Sequence, residues 1–430
     1  MFEIIQGILL ILSFLGLVYY CFKGGNLLIG FVASAVLWLL IGRIPIEIAV
    51  NDVFSESVAN YGATAGVIIF GAWFGRVIID TGIAGYIIKK TVELAGDKPL
   101  FTAILLNIVC LVIFMSAFGV GSVMAIGMIV LPIMFTLGID KKTALGTYMM
   151  AVSGGMWLNI AYVSQFFGVF PNMSFSNEYI HFAIIATMVH ACLMVMFIVI
   201  NYNRTKRVKV RTWAASVKND LTRTDDLKWY SMMVPFSPII LVAVFGWTPI
   251  PSFMLSITLG LVLTGNAKTY KKFVEKIQKT LYDGFADVGL LLGMLYGVTM
   301  FMAAAEQVVP LLQSFLGDII PTSTIAILIM FCILAPLALF RGPLMIWGSG
   351  IALASILQAT GNFSESFLFM LFLVPPVAIV ATVCPTQSWG AWALSYVKIE
   401  PKDYIKKNLP WGWSIAVIVL ILGYVLIGSA

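Results

Sequence analysis

Charged residues are scarce in this sequence. Asp, Glu, Lys and Arg make up 11% of the 430 residues, where soluble domains carry about 25%; a string of ordinary water-soluble domains is excluded. Histidine is scarcer still, with two residues. The five cysteines (Cys21, Cys110, Cys192, Cys332, Cys384) lie far apart, all but the last in plainly apolar stretches. Such spacing makes no metal-ligand cluster and no disulfide framework. Neither H-E-x-x-H nor G-x-S-x-G occurs, which argues against a membrane-embedded enzyme. Hydrophobic residues supply 60% of the chain, including 30 Phe, 21 Met and 11 Trp, and the mean hydropathy is +1.00. Apolar runs of about 17 residues or more recur from end to end, each able to cross a hydrocarbon layer of about 30 Å as a helix. The expected fold class is an all-α polytopic membrane protein.

The net charge of +6 does not point to nucleic acid, because the basic residues sit in short loops between apolar runs, as membrane topology requires. Spans are expected at 4–22, 25–42, 63–86, a pair at 100–116 and 122–137, then 144–168 and 180–201. A second series follows at 230–247, 252–265, 285–305, a pair at 323–339 and 344–358, then 366–396 and 410–428. Between the two series lies the polar segment 202–229, with Arg204, Lys206, Arg207, Lys209, Arg211, Lys218, Arg223 and Lys228. This segment should be cytoplasmic. Counting spans outward from it puts Lys23, Lys89, Lys90, Lys98, Lys141, Lys142, the lysine-rich stretch 267–283 and residues 398–407 on the same side. Loops 44–60, 170–179, 306–322 and 359–365 contain no Lys or Arg and fall on the other side, as do both termini. The N-terminal run has no basic region ahead of it and passes directly into the next span, so a retained helix is expected rather than a cleaved signal.

The two series resemble each other. Gly71-Ala72-Trp73-Phe74-Gly75 matches Gly293-Met294-Leu295-Tyr296-Gly297, Phe118 matches Phe340 at the same offset, and Trp157 matches Trp389 after a longer connection. Corresponding loops carry opposite charge character: the basic loop 89–98 aligns with 306–322, and Lys141-Lys142 with 359–365. The halves, 1–201 and 230–430, are therefore expected to be an inverted repeat, each with about five spans, one re-entrant hairpin and a discontinuous helix, joined by the linker 202–229.

Breaks in these helices are the candidate sites, since unpartnered backbone groups in lipid cost several kcal/mol each unless they are buried in protein or line a wet cavity. The paired segments meet at Ser116-Ala117-Phe118-Gly119-Val120-Gly121-Ser122 and at Phe340-Arg341-Gly342-Pro343. The following spans are interrupted around Ser153-Gly154-Gly155, with Asn159 after it, and at Cys384-Pro385-Thr386-Gln387-Ser388. Helix N-termini attract anions, and free carbonyls with Ser, Thr and Asn oxygens suit Na⁺. The candidate substrate residues are Ser116, Gly119, Gly121, Ser122, Asn159, Arg341, Gly342, Thr386, Gln387 and Ser388. Ser153, Gly154, Gly155, Cys384 and Pro385 are the candidate cation residues. The competing reading is that the small residues only let helices pack closely.

Ionisable residues inside the apolar runs sharpen this reading. Arg341 is the only Lys or Arg between Lys279 and Lys398. A buried guanidinium needs an anionic partner, and its fork matches a carboxylate; that partner is either a substrate or a structural acid such as Glu306. Arg76 and Asp80, one helical turn apart, are expected to neutralise each other. His181 and His190 read as interfacial or core residues. Residues 268–279 read as an amphipathic helix on the inner leaflet, and Trp411 and Trp413 as part of the interfacial aromatic belt.

On these features the chain resembles the ion transporter superfamily of carboxylate carriers, which includes gluconate and citrate permeases and the dicarboxylate/sodium symporters. The features are the two halves with paired segments and interrupted helices, Leu137-Gly138-Ile139-Asp140 before the first interruption, and the Gly119-Val120-Gly121-Ser122 tip. The dicarboxylate/sodium branch carries Ser-Asn-Thr at each tip, where this chain has Ala117-Phe118-Gly119 and Arg341-Gly342-Pro343. The resemblance implies a secondary carrier of a small organic anion, an elevator-like displacement, a homodimer built through a scaffold and a bacterial-type inner membrane, with no cofactor beyond Na⁺ as a candidate coupling ion. A cation/proton antiporter using Asp80 or Glu306 is the alternative, and a channel is a third class.

Overall fold

In the computed structural model, residues 2–23, 25–96, 98–205, 227–316 and 322–428 are described, and among them there is no strand. Most of the basic linker lies outside the described residues. The first half contains α1 (Phe2–Phe22), α2 (Leu27–Gly42), α3 (Gly62–Asp80), α4 (Ile83–Ala95), α5 (Pro99–Phe114), α6 (Val120–Thr136), α7 (Lys141–Met156), α8 (Ile160–Phe167) and α9 (Asn177–Thr205). The second contains α10 (Ser237–Ala243), α11 (Pro249–Leu263), α12 (Tyr270–Leu316), α13 (Thr324–Leu334), α14 (Ile351–Ala359), α15 (Glu365–Pro375), α16 (Ser388–Val397) and α17 (Pro401–Gly423). Six helical runs among the described residues are long and apolar enough to cross a membrane. The fold is that of an all-α polytopic membrane protein.

Local chemistry sets the helix ends. Asn26, Ser323 and Ser364 cap α2, α13 and α15 by accepting from backbone N–H groups, and proline opens α5, α11 and α17, where its missing N–H costs nothing. Several expected boundaries move: residues 46–60, expected as part of a loop, are helical and run on into α3, and the second paired segments leave regular α-helix at Leu334 and regain it only at Ile351. The span at 63–86 is two helices, because Gly82 takes φ +84° and turns the chain after Asp80. The lysine-rich stretch 268–279 is not a separate surface helix: from Tyr270 it forms the first turns of α12, which has 47 residues and is roughly 70 Å long at 1.5 Å per residue. Lys279 pairs with the Asp80 carboxylate and Lys276 donates to the Asp80 carbonyl at 2.7 Å, so the basic end of α12 is docked on the C-terminus of α3, where cations are favoured.

Packing places the interrupted helices innermost. α12 lies along α2 and α3, whereas α7 packs on α5 and α9 and meets Ala381–Val383, the segment before the second interruption. In α7, residues 143 to 156 are all buried. The most apolar window of Glu365–Val397 is 100% buried, against 33–50% for the other five long runs. The helices leading into both interruptions are thus enclosed by protein, and so is the first interruption, the condition under which a bilayer tolerates broken backbone; Thr386 and Ser388 of the second interruption are exposed.

Candidate functional site

The first tip is the non-helical stretch from Met115 to Gly119, which frees carbonyls at the end of α5. Asn159 answers that need. Its amide donates to the Phe114 carbonyl at 2.8 Å and to the Ala117 carbonyl at 3.0 Å, while its Oδ1 accepts from the Tyr162 N–H at 3.0 Å and caps α8. A single side chain joins the tip to the following interruption. That interruption lies at Trp157-Leu158-Asn159, later than expected: Ser153, Gly154 and Gly155 are helical, in the last turn of α7. The reason is steric, since a Cβ on Gly155 would lie 2.5 Å from the Leu111 carbonyl oxygen; here glycine lets α7 touch α5 without breaking it. The Trp157 carbonyl, freed by the break, accepts from the Tyr179 hydroxyl at 2.6 Å.

Every candidate residue of this first cluster is buried, from Ser116 at 2% exposed to Ser122 and Ser153 at 0%. Ser116 donates to the Pro235 carbonyl and Ser122 to the Phe118 carbonyl at 2.9 Å. Beneath the tip lies an ion pair the sequence did not announce. Arg76 Nε and Nη2 each donate at 2.6 Å to the two carboxylate oxygens of Asp287, a bidentate pair linking α3 to α12. A Cβ on Gly121 would overlap this guanidinium, so the pair reaches the backbone at the start of α6. The expected neutralisation of Arg76 by Asp80 is corrected accordingly: Arg76 is held by Asp287, and Asp80 by Lys279. The sequence signal available was Asp287 alone among apolar residues of an expected span.

The second tip is built differently. Leu339 is extended at ψ 156°, Phe340 has φ 54° and Arg341 φ 63°, so two successive side-chain-bearing residues occupy the left-handed region, at a cost of order 1 kcal/mol each. The Phe340 N–H donates to Cys384 Sγ at 3.4 Å, and Cys384 Sγ lies 3.1 Å from Thr386 Oγ1; the tip therefore touches the second interruption, Cys384 to Gln387. Gly342 is buried beside Arg341, while Thr386 and Ser388 are exposed and Pro385 and Gln387 half-buried. Arg341 is half-buried, and among the described residues its guanidinium has no hydrogen-bond or ion-pair partner; Glu306 is exposed and does not pair with it.

One residue of this region escaped sequence reasoning. Trp347, in the distorted stretch Ile346–Gly350, is 5% exposed, and among the described residues its indole N–H has no hydrogen-bond partner. Its backbone segment folds onto the tip, where Ser349 Oγ reaches the Arg341 carbonyl at 3.4 Å. An indole in a Gly/Ser-rich patch within an apolar run was the signal. A buried donor left unpaired costs about 1–3 kcal/mol. Among the described residues the second tip region thus holds an unpaired guanidinium and a buried, unpaired indole N–H, near the exposed Thr386 and Ser388; the first cluster is buried and internally hydrogen-bonded. Among the described residues no cluster of His, Cys, Asp or Glu could hold a metal ion.

Outside the spans, Asp140 caps α7, accepting from the Lys142 and Thr143 N–H groups at 3.1 Å. Burial pushes its carboxyl upward, but hydrogen bonds from Thr143 and the charge of Lys407 outweigh burial and hold it below the usual carboxylate range.

No protein-family model matches the chain, and neither does any curated protein sequence. Among solved structures, the YdaH transporter of Alcanivorax borkumensis, described as having an unusual topology, is similar over 93% of this chain and 98% of its own, with a TM-score of 0.66 at 14% identity. The chain therefore shares its fold with a membrane transporter.

Proposed function

We propose that the protein is a secondary active transporter that moves a small carboxylate in symport with a cation. The observation that carries this reading is the Arg341 guanidinium, half-buried at a strained tip and unpaired among the described residues, in a chain whose fold is shared with a transporter. A carboxylate bound by its fork would provide the missing countercharge, with the Trp347 indole N–H as a second donor. Thr386, Gln387 and Ser388 line the adjacent interruption as further substrate contacts; Ser153, Gly154, Gly155, Cys384 and Pro385 are the cation candidates, and the neutral oxygens at the breaks suit Na⁺ slightly better than a proton. Ser116, Gly119, Gly121, Ser122 and Asn159 complete the site in the first half as the tips move relative to the remaining helices. The proposal includes inverted halves, 1–201 and 230–430, an elevator-like displacement, a homodimer, and a bacterial-type inner membrane with both termini outward. Cation/proton antiport would need a free acid near the breaks, and Asp80 is already held by Lys279.

Purified protein reconstituted in liposomes tests this directly, with labelled small carboxylates outside and an inward Na⁺ or proton gradient. Accumulation above the external concentration is expected with one of the two gradients, and Arg341→Ala should reduce it at least tenfold. Cation–proton exchange without any organic anion would establish the antiporter instead, and equilibration without accumulation a channel.

A further inference from the structure

His190 lies on α9, 0% exposed, at the point where the two interrupted helices meet. Trp157, the first residue of the first interruption, donates its indole N–H to His190 Nδ1 at 3.2 Å. His190 Nε2 lies 3.0 Å from Ser153 Oγ, and Ser153 Oγ lies 2.8 Å from Thr382 Oγ1. Thr382 sits in Ala381–Val383, the last helical segment before the second interruption, and its carbonyl accepts from the Tyr404 hydroxyl at 2.7 Å. One imidazole on an unbroken helix thus connects both breaks.

The donors fix the protonation pattern. Indole nitrogen can only donate, so Nδ1 must offer its lone pair, and a neutral ring then carries its proton on Nε2. That proton is donated to Ser153 Oγ, which also shares a hydrogen bond with Thr382 Oγ1 that either hydroxyl can donate; when Thr382 donates it, the Ser153 hydroxyl turns to the Met150 carbonyl at 3.4 Å. The chain of contacts runs from Trp157 through His190 and Ser153 to Thr382, with the His190 tautomer set by the indole. An imidazolium would set a second N–H against the indole N–H.

We infer that His190 is a positioning residue for transport: through this relay it sets the two interrupted helices against each other, so that the half-sites they carry move as one unit. The inference rests on the transport reading for its kinetic consequence and on geometry for its structural one. His190 touches none of the residues proposed to hold the carboxylate, but it hydrogen-bonds Ser153, a candidate cation residue; with the cation saturating, its loss therefore acts on the rate of the conformational step and leaves carboxylate affinity nearly intact. Glutamine is the conservative replacement, because its amide presents one acceptor and one donor separated much as the two ring nitrogens are.

The test uses spin labels at Ser174→Cys, just beyond α8, and Ser395→Cys, on α16, both exposed positions, in the full-length protein with Cys192 replaced by serine. The distance distribution should be narrow in the parent, broader or shifted in His190→Ala, and restored in His190→Gln. Uptake should fall at least tenfold in maximal rate in His190→Ala with KM within about twofold, and recover in His190→Gln. If His190→Ala does not fold, Thr382→Val removes the end of the relay at nearly constant volume and should broaden the same distribution. Unchanged distances in the alanine or valine variant, or failure of glutamine to restore them, would overturn the relay. Distances that respond as expected in a protein that accumulates no carboxylate would leave the relay standing and remove the transport reading.

Discussion

Single residues decide whether the two tips can bind anything. Arg341 is set apart from Arg76, likewise half-buried, by its partner: Arg76 is clasped by Asp287 at 2.6 Å, whereas Arg341 has no acid among the described residues. Arg341→Lys should retain part of the uptake lost in Arg341→Ala, since an ammonium keeps the charge but not the fork; initial-rate measurements across the series check this. Gly121→Ala should destabilise the protein by about 1–3 kcal/mol, because the new methyl must displace the Arg76–Asp287 pair in a packed core, and thermal unfolding in detergent reads the loss. Asp140 gives a pH dependence with a definite sign. Its carboxyl is held below the ordinary value by Thr143 and Lys407 despite burial, so its contribution is present above the unfolded-state value near 3.8 and is lost as pH falls through the lower folded value. Asp140→Asn keeps a cap but loses the charge, and should lower stability by about 0.5–1 kcal/mol at neutral pH, with the difference vanishing in acid.

At the scale of elements, the two interruptions have unlike economies of hydrogen bonding. The first is closed: Asn159 serves the tip and caps α8, and Tyr179 and His190 occupy the groups of Trp157. Asn159→Ala removes a cap and leaves two buried carbonyls unpartnered, and should cost about 3–7 kcal/mol, since a cap is worth about 1 and each orphaned group about 1–3 in the general case. Asn159→Asp keeps the cap acceptor but cannot donate to Phe114 and Ala117, so it should recover only a minor part; chemical unfolding of both variants measures the split. The sequence located three of the four breaks, because Gly342-Pro343, Pro385 and Gly119 impose backbone geometry locally, although the second tip is wider than expected, with regular α-helix ending at Leu334 and resuming at Ile351. It placed the remaining one too early, at Ser153-Gly154-Gly155, because glycine in a helix carries the same letter whether it permits a turn or a close approach. Only the proximity of Leu111 distinguishes the two.

Across the whole molecule, α3 of the first half and α12 of the second are joined by Arg76–Asp287 and by Lys279–Asp80, so their charges are partners across the halves and not within one helix. Removing one member of the better buried pair should cost on the order of 3 kcal/mol, and removing both less than the sum of the single losses, because the unpaired charge is then gone; a double-mutant cycle of Arg76→Met and Asp287→Leu on thermal stability gives the coupling. Topology is checked in the same way the sequence was read: cysteines placed at exposed Glu56 and Asn362 should react with an impermeant thiol reagent from one face of intact cells and those at Lys89 and Lys402 from the other.

Composition by itself determined that this chain spans a bilayer as helices, because that property follows from transfer free energy, which adds residue by residue along the chain; loop charge supplied the expectation of which loops share a face. Tertiary structure alone decided which acid holds Arg76, which buried donors stay unpaired and which glycines bend the backbone. Each of those depends on atoms from segments remote in sequence, and a pairwise contact has no signature in either partner taken alone.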